Sequence, residues 1–89
     1  MAKKTIHVKI VTPEKTLFED EAVSIVAPGA LGYLGVLVDH APLVTSLKEG
    51  RLSLRMPDNQ EKVFEIHEGV MEVSKNVATI LSETVTEAA

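Results

Sequence analysis

The chain has 89 residues, 9 Lys and Arg against 13 Asp and Glu, a net charge of −4 and no cysteine. That length fits one small domain with a single core, and the missing cysteines exclude a disulfide framework, a thiolate nucleophile and a cysteine-based metal site. An acidic balance, no basic stripe and only 3% aromatic residues argue against nucleic-acid binding.

In chain order, Met1-Ala2-Lys3-Lys4 is followed by alternating residues rather than an apolar run, so no export signal is expected. Ile6, Val8 and Ile10 point one way and His7, Lys9 and Val11 the other, the period of a strand with one buried face. Thr12-Pro13-Glu14-Lys15 ends it in a turn. The Thr12 hydroxyl then either faces a neighbour or is satisfied within that turn. A second strand is expected to start at Leu17-Phe18, pass through Glu19-Asp20-Glu21 and continue to Ala27. The acidic triplet reads as a solvated edge that discourages sheet-to-sheet aggregation; with no cysteine or nearby histidine it lacks metal-ligand spacing.

The run from Ala27 to Leu43, APGALGYLGVLVDHAPL, carries Gly29, Gly32 and Gly35 between Pro28 and Pro42. Each glycine would cost a helix about 1 kcal/mol and an interior proline about 3, so a reversing loop and a short strand are expected. The same breakers exclude a transmembrane span over the charge-free Ala22–Val38. Leu34, Val36 and Val38 are expected to face the core. Ala30, Leu31 and Tyr33 form an apolar, uncharged tip, the kind of loop that a partner covers.

Asp39-His40-Ala41-Pro42 makes the next turn. Adjacent strand residues point to opposite faces, so Asp39 cannot orient His40 for catalysis from beside it, and no nucleophile elbow is present. His40 is either a structural turn residue or a hydrogen-bonding interface residue, since imidazole both donates and accepts. Leu43–Leu47 resumes extended structure, and Lys48-Glu49-Gly50 turns into Leu52, Leu54 and Met56. Pro57-Asp58-Asn59-Gln60 reverses the chain into Val63–Ile66. His67-Glu68-Gly69 and Lys75-Asn76 flank a short strand at Val70–Val73, and Val77–Leu81 is the last. The whole predicts an all-β domain, a small antiparallel β-sandwich or flattened barrel of about eight to ten short strands. It occupies residues 1–82, and residues 83–89 form a polar tail that frays or starts a helix.

Several fragments carry a resemblance in the right order: Val11-Thr12-Pro13-Glu14 with Leu17-Phe18; Ala27-Pro28-Gly29, Gly32 and Leu34-Gly35-Val36-Leu37; His40-Ala41-Pro42-Leu43; and Gly69, Glu72-Val73 and Ala78-Thr79-Ile80-Leu81. Together they resemble the N-terminal β-sandwich domain of the epsilon subunit of F-type ATP synthases, over essentially the whole chain. Val38-Asp39 stands where that family usually has Pro-Gly, and Glu68 where it usually has a second glycine; Asp tolerates left-handed backbone better than most residues.

The resemblance implies a non-catalytic central-stalk subunit that joins the gamma subunit to the c ring, so that ion-driven rotation is coupled to ATP synthesis. Thr12, His40, Ala41 and Pro42 would contact gamma, and Ala30, Leu31 and Tyr33 the c ring. Because this tip carries no carboxylate, apolar packing and backbone groups are expected to make the ring contact. The resemblance places the chain on the cytoplasmic face of a bacterial inner membrane without inserting into it. No cofactor is expected, no ATP binding by this chain, and no inhibition by a C-terminal helical arm, since the sequence ends where such helices would begin. Two other classes are a free-standing β-sandwich binding module and a small hydrolase built on Asp39 and His40.

Overall fold

An extended chain turns successive side chains to opposite faces, and the alternation of buried and exposed residues follows that period in ten segments. The computed structural model describes residues 4–88. The strands are β1 (Ile6–Val11), β2 (Thr16–Ala22), β3 (Ser24–Gly29), β4 (Gly32–Leu37), β5 (Leu43–Leu47), β6 (Gly50–Arg55), β7 (Glu61–Ile66), β8 (Gly69–Ser74), β9 (Val77–Ser82) and β10 (Val85–Ala88). Met1 to Lys3 and Ala89, at the ends of the expected sandwich and tail, lie outside the described residues.

The strands run in the order β10-β7-β6-β3-β5-β8-β9-β1-β2, with β4 paired to β3 beside this path. Neighbours are antiparallel except for β1 and β9, which are parallel. The link between β3 and β5 is a single residue pair, Gly29 with Leu47. The sheet therefore bends there into two leaves, β4-β3-β6-β7-β10 and β5-β8-β9-β1-β2. Pro28 sits at the corner. It has no N–H to offer a neighbour, and its carbonyl accepts the Lys48 N–H at 2.9 Å. The result is an all-β, sandwich-type half-barrel with no helix among the described residues.

Both leaves contribute to one core. Ile25, Ala27, Val36, Leu52, Leu54, Met56, Phe64 and Ile66 face Ile6, Val8, Ile10, Ala22, Leu47, Met71, Val73, Ala78 and Ile80. Leu34 and Val38 pack against it half-buried, and Val36 is fully buried, as the alternation predicts. On the side away from the corner, Phe18 of β2 meets Phe64 of β7 edge-on, with ring centroids 5.1 Å apart. At Gly69 the β8 backbone passes so close to β9 that a β-carbon would collide with the Leu81 carbonyl oxygen.

Two expectations change. The long second strand is two strands, β2 and β3, separated at Val23, whose N–H donates to the Arg55 carbonyl at 2.7 Å. Ala22 is already buried in one leaf and Ile25 in the other, so the break is where the chain crosses between leaves. The segment read as polar tail contains β10, which pairs with β7 from Val85 opposite Ile66 to Ala88 opposite Val63.

Candidate functional site

The tip is a tight reversal. Gly29 pairs with Gly32, leaving Ala30 and Leu31 as the turn. Gly32 has φ 135°, a conformation that L side chains rarely adopt. The Ala30 N–H donates to the Ser46 carbonyl at 3.0 Å, holding the turn against β5. Leu31 at the apex is 104% exposed, a leucine with no covering side chain. Tyr33 lies in β4 rather than in the turn, and its hydroxyl accepts the Arg51 N–H at 3.1 Å. Of the three residues assigned to the tip, Ala30 and Leu31 form the apex, while the Tyr33 phenol is tied back to β6.

The His40 loop joins β4 to β5. The backbone turns through Asp39 at φ 66°. The Asp39 N–H donates to Asn76 Oδ1 at 2.7 Å, and Asn76 Nδ2 donates to Asp39 Oδ1 at 2.9 Å. Lys4 Nζ lies 3.2 Å from Asp39 Oδ2. The Asn76 amide first, and then Lys4, hold the Asp39 carboxyl below its ordinary pKa. The His40 N–H donates to the Leu37 carbonyl at 3.1 Å, and its Nδ1 donates to the Ala41 carbonyl at 2.7 Å. In the neutral ring that second bond places the proton on Nδ1 and leaves Nε2 as the acceptor. Ala41 and Pro42 are exposed.

Thr12 is elsewhere. Its hydroxyl donates to the Lys15 carbonyl at 3.2 Å, so its proton is used within the turn. Across the sheet Val11 stands beside Leu81, Leu81 beside Val70 and Val70 beside Ser46, whereas His7 stands beside Val77 and Val77 beside Ser74. Thr12 therefore belongs to the Ser46 end of the leaf, with the tip, and His40–Pro42 to the opposite end. A strand length, roughly 20 Å, separates them.

Between them runs the outer face of β5, β8, β9 and β1, which the sequence reading did not pick out. Val44, Val70, Val77 and Leu81 are 69%, 42%, 44% and 47% exposed on it. A shallow recess lined by Pro13, Gly69, Val70 and Leu81, and by Glu68, Ser82 and Glu83, continues it toward Thr12. The signal was present in the sequence. β8 and β9 carry apolar residues at both parities, and a strand with only one buried face does not need them.

β2, an edge of the sheet as expected for its acidic triplet, has a further role across the strand pair. His7 Nδ1 lies 2.6 Å from Glu21 Oε2, its Nε2 lies 2.6 Å from Glu19 Oε2, and Thr5 donates to Glu21. The bonds to Glu21 and then Glu19 raise the His7 pKa above 6.5; those from Thr5 and then His7 lower that of Glu21 below 4.5. The His7 contribution to stability is complete below 6.5 and is lost as pH rises through the elevated folded value. The Glu21 contribution is present above 4.5 and is lost as pH falls through the depressed folded value. Both act fully between those two values. Urea melts of wild type and H7Q should show a stability gap at about pH 5.5 that closes well above the folded His7 pKa. A gap independent of pH would contradict this.

The described residues contain no group of three or more His, Cys, Asp or Glu able to hold a metal. No described helix is long and apolar enough to cross a membrane.

Residues 5–88 match the sequence family of the ATP synthase delta/epsilon chain, β-sandwich domain. The chain is 42% identical over 82 residues to an ATP synthase epsilon chain of Chlorobium limicola, covering 92% of this chain and 93% of that one. It is 38% identical over 85 residues to the epsilon chain of Nitrosococcus oceani, covering 96% of this chain but 61% of the relative's length. A chain in the cryo-EM structure of the Euglena gracilis mitochondrial ATP synthase (OSCP/F1/c-ring) superposes with a TM-score of 0.88 at 19% identity, over 93% of this chain and 53% of that one. That likeness is one of fold.

Proposed function

The chain belongs to the β-sandwich family of ATP synthase delta/epsilon chains, a non-catalytic subunit of that complex, and we propose that it works in the central stalk, joining the gamma subunit to the c ring. The observation that carries this reading is the group of exposed apolar side chains on the outer face of β5, β8 and β9, Val44, Val70, Val77 and Leu81, which flank Glu72 and Thr79 between Thr12 and the His40-Ala41-Pro42 loop. A protein surface of this kind is stable in water once a partner covers it. Gamma lies along this face, with His40 Nε2 free to accept one of its donors. The uncharged apex Ala30-Leu31, at the Thr12 end, rests on the c ring through apolar and backbone contact, and Tyr33 braces it from β4. The chain is then peripheral, on the cytoplasmic face of a bacterial membrane. Its role is mechanical: it transfers coupling torque through contact.

The test is recovery of the tagged chain from gently solubilised membranes of its source, with mass spectrometry of what accompanies it. Gamma, the catalytic subunits and the c ring are expected together. Leu31→Ser removes an apolar contact of about 2 kcal/mol, and should lower c-ring recovery while leaving gamma bound. Recovery of the chain alone, or with a different partner set, would favour a free-standing binding module.

A further inference from the structure

We propose that Asn76 is a positioning residue for docking: its side-chain amide latches Asp39 in the left-handed conformation that presents His40-Ala41-Pro42 to the gamma subunit. This rests on the reading that the His40 loop docks gamma.

Asp39 adopts φ 66°, a region that L residues enter reluctantly and that Asp reaches more readily than most. Left to itself, a solvent-exposed Asp at a loop corner would also sample negative φ, and the chain direction of His40, the next residue, would change with it. Two hydrogen bonds from one amide oppose this, one to the Asp39 backbone N–H and one to its carboxylate. They reach across 37 residues of sequence. The amide is itself held firmly. Lys75 and Asn76 have φ 52° and 61° in the two-residue β8–β9 hairpin, the type I′ geometry that matches strand twist. The Asn76 carbonyl also accepts the His7 N–H at 2.8 Å, pinning the turn to β1. The docking loop is thus aimed from a rigid turn on another hairpin. The Lys4–Asp39 ion pair is exposed on both sides and adds little to this hold.

A loop that loses its latch occupies the competent shape for a smaller fraction of the time, and apparent affinity falls by that fraction. Asn76→Gly is the suitable variant, because glycine keeps the left-handed turn and removes only the amide. Asp39→Gly supplies a loop residue with less need of the latch. Calorimetric binding to the purified gamma subunit of the same synthase would compare wild type, N76G, D39G, the double variant and H40A, all checked for native circular dichroism. N76G is expected to weaken binding about tenfold, the weight of one to two net hydrogen bonds. In the D39G background the same change should cost less than about threefold. A role in general stability alone would not produce that dependence. An N76G effect equal in both backgrounds, or absent while H40A still weakens binding, overturns the latch. If H40A and N76G both bind as wild type, the docking reading itself falls, and the latch with it.

Discussion

Converting Val70 and Leu81 together to lysine is expected to weaken binding to the gamma subunit by about a hundredfold or more and to leave the fold standing. Both side chains point away from the core, on neighbouring strands β8 and β9, in one row of the sheet. Their neighbours Glu68, Glu72 and Glu83 can accommodate added ammonium groups in water, and exposed substitutions typically shift stability by no more than about 0.5 kcal/mol. A covered face is a different environment. There each ammonium must be desolvated against apolar surface, at a cost of several kcal/mol without a partner. Glu65→Ser, on the outer face of the other leaf, is the control and should bind as wild type. Undiminished affinity in the double lysine variant, measured calorimetrically, would remove this face from the interface.

Phe64→Ala is expected to cost about 3–5 kcal/mol and to lower the melting temperature by about 12–40 °C, since a domain of this size shifts about 4–8 °C per kcal/mol. Phe64 is 1% exposed, so truncation leaves a cavity that surrounding β-structure cannot readily fill. Its position adds to the effect. Among the described residues the strand pairing that joins the two leaves is at the β3–β5 corner, and at the opposite side Phe64 and Phe18 touch across the opening. Removing one ring leaves that side without its aromatic contact. With total stability of roughly 4–13 kcal/mol for 89 residues, the variant should sit close to its unfolding threshold. Phe64→Leu, which keeps most of the volume, should cost under about 1.5 kcal/mol. A calorimetric melt of F64A within a few degrees of wild type would show that the ring pair does not hold the open side.

The strands that face one core and one solvent were legible from alternation. Ile6-Val8-Ile10, Leu52-Leu54-Met56 and Phe64-Ile66 are buried where the period puts them. The crossing at Val23 was not legible, because no glycine or proline marks it; the chain changes leaf when the Val23 N–H finds Arg55. β10 was missed because its four residues offer one inward valine and an otherwise polar pattern. Of the candidate site, the apex at Leu31 followed from an uncharged, glycine-bounded turn. The distance between Thr12 and His40 could not be read, since it depends on which strands lie side by side. The outer-face residues Val70 and Leu81 were read only as parts of strands, because hydrophobicity alone does not say which face is covered by the chain itself. Contacts such as Asp39 with Asn76 and His7 with Glu21 lie beyond any local spacing.

The parallel pairing of β1 with β9 has a temporal side. His7 lies beside Val77, so one neighbour of the first strand is not made until about seventy residues after it. The β1–β2 hairpin can form early, but it emerges from the ribosome with an open edge, and closing so long a loop is the slow kind of contact. In that interval the polar face of β1, with His7 and Lys9, and the acidic strand β2 alongside are the kind of charged edge that discourages aggregation. Completion of this leaf therefore waits on residues 77–81, and loss of β9 would leave β1 without the neighbour that makes it an interior strand.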